Sequence, residues 1–355
     1  MTDDTTPAPA PAPATRTPCR LPRPIPRPLP PGLSGPRLSA IGIIKPKWLN
    51  GTQLTYHFPA NANWTWPEAQ KRVVRQAFDA WKELGIGLSF REIDDPAKAT
   101  IRIGLFLGDG SWSYVGPELL HNAYPDGRNM NFGWDLSTTW GWATALHEIG
   151  HALGLSHEHQ NPKAGLVWNV EAVYQHYLQS DGWARKDTRY NIIRKLLAAD
   201  VEGSNWDPTS IMHYPFIPGL ISAPQYYRDH GTPENTQLSA NDIAWVRKWF
   251  PPLSAPQKVQ AGETVQLPSN GAQVNFELVP DAARNYVLQT GGQADTIVVL
   301  SEEIDGKVEQ LAASDDSGYA QNATINAELR PGRRYLARVR TNFAEPGSAV
   351  TFKFA

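Results

Sequence analysis

The stretch His147-Glu148-Ile149-Gly150-His151-Ala152-Leu153-Gly154-Leu155-Ser156-His157-Glu158 decides how this chain is read. On a helix, residues four apart stand one turn above each other on one face, so His147 and His151 reach a single ion. Zinc–imidazole bonds are ~2.0–2.1 Å long, short enough to demand that alignment. Ile149 lies about 200° round from His147 and faces the core. Glu148 is offset enough to miss the metal and close enough to touch water bound to it, the place for a general base. Gly154 tolerates the positive φ with which a helix turns off its axis. The chain then swings His157 in from another direction. Three protein ligands on tetrahedral zinc leave one position for water, as a catalytic site requires. A lone His-x-x-x-His pair is often a surface accident; the five fixed positions of H-E-x-x-H-x-x-G-x-x-H make this motif specific.

Working outward, a helix should start near Ser137 or Thr138 and run through His151. Upstream, Leu54–Phe58 reads as a strand. Thr65-Trp66-Pro67-Glu68 reads as a capping box, and the helix behind it puts Val74, Phe78 and Trp81 on one face. Ala99–Phe106 alternates as a strand with one buried face, and Asn129–Trp134 is a shorter strand. Lys195–Ala199 closes another helical stretch. Ser239–Phe250 is a last helix capped by Ser239 and Asp242, stopped by Pro251 and Pro252. Beyond Pro252 the texture changes to short alternating runs: 274–279, 286–290, 296–300, 323–329, 334–340 and 350–354. Turn signals such as Asp305-Gly306 and Asp316-Ser317-Gly318 separate them, which argues for a β-sandwich.

With these elements in place, the chain resembles the metzincins, and within them the astacins and matrixins, over residues 41–252. Downstream of the third histidine stands Ser210-Ile211-Met212-His213-Tyr214, matching the family's Met-containing turn beneath the zinc. The resemblance implies that Met212 is a floor for the site and that Tyr214 approaches the zinc and stabilises the transition state. A Tyr simply buried with its hydroxyl satisfied is the other reading. Glu158 follows the third His as in astacins, where it meets the trimmed N-terminus; it could equally be a solvated surface charge. The segment 109–116 resembles the loop before the clan's edge strand. The long stretch from Gln160 to Pro208 is an insertion beyond a minimal matrixin and resembles bacterial astacin-like proteins. The C-terminal sandwich looks weakly like pre-peptidase C-terminal domains.

Composition bounds the rest. The 355 residues suffice for two domains, and a 41% apolar content can bury a core. A net charge of -2 offers no basic field for nucleic acid or an anionic membrane. No apolar run approaches the ~20 residues that span a bilayer. Residues 1–38 hold twelve of the 31 prolines and should be extended or disordered, with order beginning near Ile41. The acidic, then Pro/Ala-rich start lacks the features of a secretory signal peptide. Cys19 is the single cysteine, which excludes an intrachain disulfide. It either caps the zinc from a prosegment or is an exposed thiol in a tail. His121, His159, His176, His213 and His230 complete no second ligand spacing and read as surface or satisfied histidines. Asp109, Asp126 and Asp316 read as ordinary turns rather than calcium loops.

The fold expected is α+β: a disordered Pro-rich segment over 1–38, a metzincin catalytic domain over 39–252 and a β-sandwich accessory domain over 253–355. The function expected is a zinc-dependent endopeptidase with one catalytic Zn2+ on His147, His151 and His157. Glu148 is the general base and Tyr214 the oxyanion donor. Peptide substrate should add to an edge strand near Asn129–Trp134. Location outside the cell is expected, by a route the sequence does not reveal. The rival class is a non-catalytic zinc protein that binds through its sandwich. Against it stands Glu148, which a structural site has no use for.

Overall fold

A computed structural model describes residues 18–24, 47–59, 65–198, 205–269, 271–305, 307–314, 322–345 and 347–355. Most of the Pro-rich segment 1–38, the expected start of order near Ile41, the helix end at Ala199 and the turn at 316–318 lie outside the described residues.

The first unit is built on a five-stranded sheet. Its strands are β1 (Gln53–His57), β2 (Ser89–Glu92), β3 (Ile101–Gly104), β4 (Trp112–Ser113) and β5 (Met130–Asn131), in the order β2-β1-β3-β5-β4. β1, β2, β3 and β5 run parallel, and β4 pairs antiparallel with β5. The expected edge strand near Asn129–Trp134 is therefore an inner strand. Its side chains explain why: Asn129 and Asn131 bond neighbouring backbone on both sides, to Thr100, Leu119, Phe106 and Gly110. The open edge is β4 instead.

Helix α1 (Glu68–Lys82) buries Val74, Ala77, Phe78 and Trp81 against the sheet, the stripe that its 3.6-residue periodicity demands. Its N-terminus departs from the expected capping box. Pro67 occupies the cap without a side-chain bond, because Trp66 is drawn into the core, where its Nε1 donates to the Ile103 carbonyl at 3.0 Å. Trp81 closes the layer below, its Nε1 donating to the Leu146 carbonyl of helix α2 (Thr139–Leu153) at 3.1 Å.

The insertion between Gln160 and Pro208 carries β6 (Val167–Trp168), α3 (Val170–Asp181) and α4 (Arg185–Thr188), followed by one π-helical turn over Arg189–Ile193. Residues 194–197 are not helical. Then come β7 (Ile221–Ala223), α5 (Gln225–His230) and α6 (Ala240–Trp249). α6 carries the expected cap: Ser239 Oγ accepts from Asp242 N at 3.0 Å and Asp242 Oδ2 accepts from Ser239 N at 2.9 Å.

A separate core begins at Val259. Strands β8 (Gln257–Gln260), β9 (Thr264–Leu267), β10 (Gln273–Val279), β11 (Arg284–Gly291), β12 (Ala294–Ile304), β13 (Lys307–Ser314), β14 (Thr324–Leu329), β15 (Arg334–Ala344) and β16 (Val350–Phe354) form two sheets. Their orders are β13-β12-β15-β10-β8 and β14-β11-β16-β9. Phe276 and Phe352 stack between them with centroids 4.9 Å apart. The sandwich is tied to the first unit through Asn50 and Gln273, which exchange two hydrogen bonds of 2.8 and 2.6 Å, and through Arg340, which donates to the Lys47 carbonyl at 2.8 Å.

Candidate metal centre

Thr138 opens the central helix, its hydroxyl accepting from Gly141 N at 2.9 Å. The helix closes at Gly154, whose φ of 111° lies in the left-handed region. Leu155 N then bonds back to the Gly150 carbonyl at 3.0 Å, and the chain turns so that His157 faces His151. Gly150 has its own reason. A Cβ there would stand 2.6 Å from Met212 Sδ, so a larger residue would have to displace the buried Met212 side chain that packs the turn 210–214 against the helix. This was not evident from the motif, where Gly150 occupies a variable position.

His147, His151 and His157 converge, all buried. His147 Nδ1 donates to the Ile211 carbonyl and His151 Nδ1 to the Leu155 carbonyl, each at 2.8 Å. A carbonyl accepts only from a protonated nitrogen, so in both rings Nε2 carries the lone pair. His147 Nε2 has no partner, and His151 Nε2 faces His157 Nε2 at 3.0 Å. Burial holds the His147 imidazole down at about 4 and pushes His157 well below the usual range, so both rings are neutral at pH 7. Bare nitrogens buried together and aimed at one point fit a cation.

The fourth corner is Cys19. Its Sγ and the three imidazoles offer ligand atoms all within 4.8 Å of one another. The thiol is buried, not exposed in a tail. It stands 3.5 Å from Glu148 Oε2, to which it donates, and Glu148 Oε1 has no partner. Burial pushes the Glu148 carboxyl well above the usual carboxylate range. Tyr214 is buried beside them. Its hydroxyl donates to the Cys19 backbone carbonyl and lies 2.8 Å from His157 Nε2. Arg20 N donates to the Ser111 carbonyl at 3.1 Å, which sets this segment beside the start of β4.

Asp242 ties α6 to this floor. Its Oδ1 accepts from Ser210 Oγ at 2.6 Å and its Oδ2 from Ile211 N at 2.8 Å. Ile211 is the residue whose carbonyl orients His147, so the cap of one helix positions a ligand on another. His159 and His213, expected at the surface or satisfied, are both buried. Each bonds one ring nitrogen to a backbone carbonyl and leaves the other without a partner. Glu158 is half-buried rather than solvated, accepting from Asp207 N and Asn161 Nδ2, both at 3.0 Å. Asp109 and Asp126 pair with the buried Arg128 guanidinium at 3.1 and 2.8 Å, a cation supplied by the chain itself.

The matrixin family model matches residues 47–183. Among solved structures, myroilysin is 30% identical with a TM-score of 0.51, over 58% of this chain and 95% of that one. The chain belongs to the metzincin zinc metalloproteases. Metalloendoproteinase 1-MMP of Arabidopsis thaliana is 32% identical over 137 residues, 33% of this chain and 36% of that protein. Blastula protease 10 of Paracentrotus lividus is 28% identical over 154 residues, 41% of this chain and 22% of that protein. The chain thus spans well under half the length of these two curated relatives. Zinc is the metal of the metzincins, and the histidine cluster suits it. The fold is α+β, a metzincin catalytic unit followed by a β-sandwich. Among the described residues no helix is long and apolar enough to cross a membrane.

Proposed function

We propose that this metzincin is a zinc-dependent endopeptidase that cleaves protein or peptide substrates, with His147, His151 and His157 as ligands and Glu148 as general base. The observation that carries the reading is the three buried imidazoles converging on one point beside a buried Glu148 carboxyl with an unpartnered oxygen. Zinc, when bound, supplies a Lewis acid that polarises the scissile carbonyl and lowers the pKa of water. Glu148 takes a proton from the attacking water and delivers it to the leaving amine. The Tyr214 hydroxyl, which already donates to one peptide carbonyl in the cleft, donates to the oxyanion. Substrate lies extended beside β4, with main-chain bonds such as the one Arg20 N makes to the Ser111 carbonyl supplying sequence-independent affinity.

The same cleft supports a latent state. Cys19 Sγ occupies the corner of the cluster that water needs, and its carbonyl engages Tyr214. Displacing it should open the site. Action outside the cell, and an accessory role for the sandwich over 253–355, belong to the same reading. The test is casein hydrolysis by the full chain, before and after thiol modification, with and without a chelator. Activity that appears on modification and vanishes with the chelator supports it. Absence of hydrolysis from the zinc-loaded, thiol-modified protein favours a protein that only binds.

A further inference from the structure

The segment 18–23 is held by more than its cysteine. Arg20 Nη2 lies 3.0 Å from Asp187 Oδ2, and Arg23 Nη2 lies 3.3 Å from Asp187 Oδ1. Arg23 also donates to the Lys186 carbonyl at 2.9 Å and sits over the Tyr190 ring at 4.9 Å. Arg20 lies 6.0 Å from the centre of the Trp183 ring. One carboxylate thus divides its two oxygens between two guanidinium groups, with an aromatic ring near each. Asp187, Tyr190 and Trp183 all belong to the 160–208 insertion, and the Asp187 side chain is only 15% exposed. The carboxylate is therefore screened less than a free surface charge. Guanidinium is the chemistry this face fits, because it stacks on aromatic rings and pairs with carboxylate at once.

We propose that the Trp183–Asp187–Tyr190 face is an arginine-recognition site whose occupant is the chain's own Arg20–Arg23 segment, and that it sets how readily Cys19 leaves the cleft. This rests on the latent state proposed above. Leu21 between the two arginines is buried, so apolar contact holds the segment as well. Loss of the ion pairs should loosen it rather than free it. Partly exposed pairs contribute modestly, and two sharing one carboxylate should change the opening equilibrium roughly five- to tenfold.

Cys19 is the chain's single cysteine, so the rate of its reaction with an aromatic disulfide reagent reports opening directly. The experiment uses the zinc-loaded full chain and compares parent, Asp187→Asn, Arg20→Ala/Arg23→Ala and the combined variant. The two arginines are exposed, so their replacement leaves the fold intact even if Asp187→Asn does not. Each change alone should speed modification roughly five- to tenfold, the combination no more than the arginine double variant, and 1 M NaCl should accelerate the parent selectively. Equal rates in all forms, or effects that multiply, would overturn the proposal. Failure of the latent state looks different: modification would leave peptidase activity unchanged while the rate ratios stood.

Discussion

Asp242→Ala tests the link between the last helix and the metal centre. The change removes the acceptor for three donors: Ser210 Oγ, Ile211 N and Ser239 N. Ser210 and Ile211 are only 3% exposed, so water replaces the carboxylate poorly there. A buried donor left without a partner costs about 1–3 kcal/mol, so two such donors plus the lost cap bond amount to roughly 3–5 kcal/mol. For a unit of this size each kcal/mol moves Tm by about 2–4 °C, which puts the expected drop near or above 10 °C by calorimetry. The effect should also reach the metal. The Ile211 carbonyl fixes His147, and such supports are worth roughly 10- to 100-fold in metal affinity, measurable by competition with a chromophoric chelator. A variant that melts within about 2 °C of the parent and holds zinc unchanged would refute the reasoning.

Tyr214→Phe should lower kcat and kcat/KM together while leaving substrate binding intact, since the bond lost forms only in the transition state; a raised KM with unchanged kcat would make Tyr214 a binding residue. Gly150→Ala should lower the urea midpoint, because crowding against Met212 Sδ costs about 1–3 kcal/mol against the ~1 kcal/mol that alanine gains in a helix; a raised midpoint would contradict the packing argument. Tyr56 is pushed up to about 12, first by burial and then by Glu92, from an ordinary value near 10. The folded state therefore holds this proton more tightly than the unfolded one. The contribution is intact below pH 10 and is lost as pH rises towards 12, so Tyr56→Phe should flatten that alkaline limb of the stability curve.

Local chemistry was legible in the sequence where it repeats at short range. The His147/His151 spacing, the turn at Gly154, the apolar stripe of α1 and the Ser239–Asp242 cap each depend on residues within a few positions of one another. What depended on distant partners was not legible. The sequence reading puts an edge strand at Asn129–Trp134, yet Asn129 and Asn131 are buried and bonded to backbone on both sides. Trp66 overrides the Thr65 cap by packing under a strand 37 residues away. β8 was missed because only Val259 among its four residues is buried, which leaves no alternation to read. Cys19 meets Glu148 across 129 positions; capping of the metal is one of two readings of this cysteine, and nothing in its neighbours chooses between them. Asp242 carried only its capping signal, although it also holds the floor of the site.

The most direct measurement of the central claim is the turnover of Glu148→Ala against its zinc content. Glu148 lies beside the first ligand, with one oxygen free and no bond to the histidines among those described. The variant should therefore bind zinc as the parent does, quantified by atomic absorption. After thiol modification of both proteins, its rate on a peptide substrate should fall by ~10²–10⁴-fold. Near-parental turnover in a zinc-loaded Glu148→Ala protein would contradict the assignment of the base, and with it the mechanism proposed for this fold.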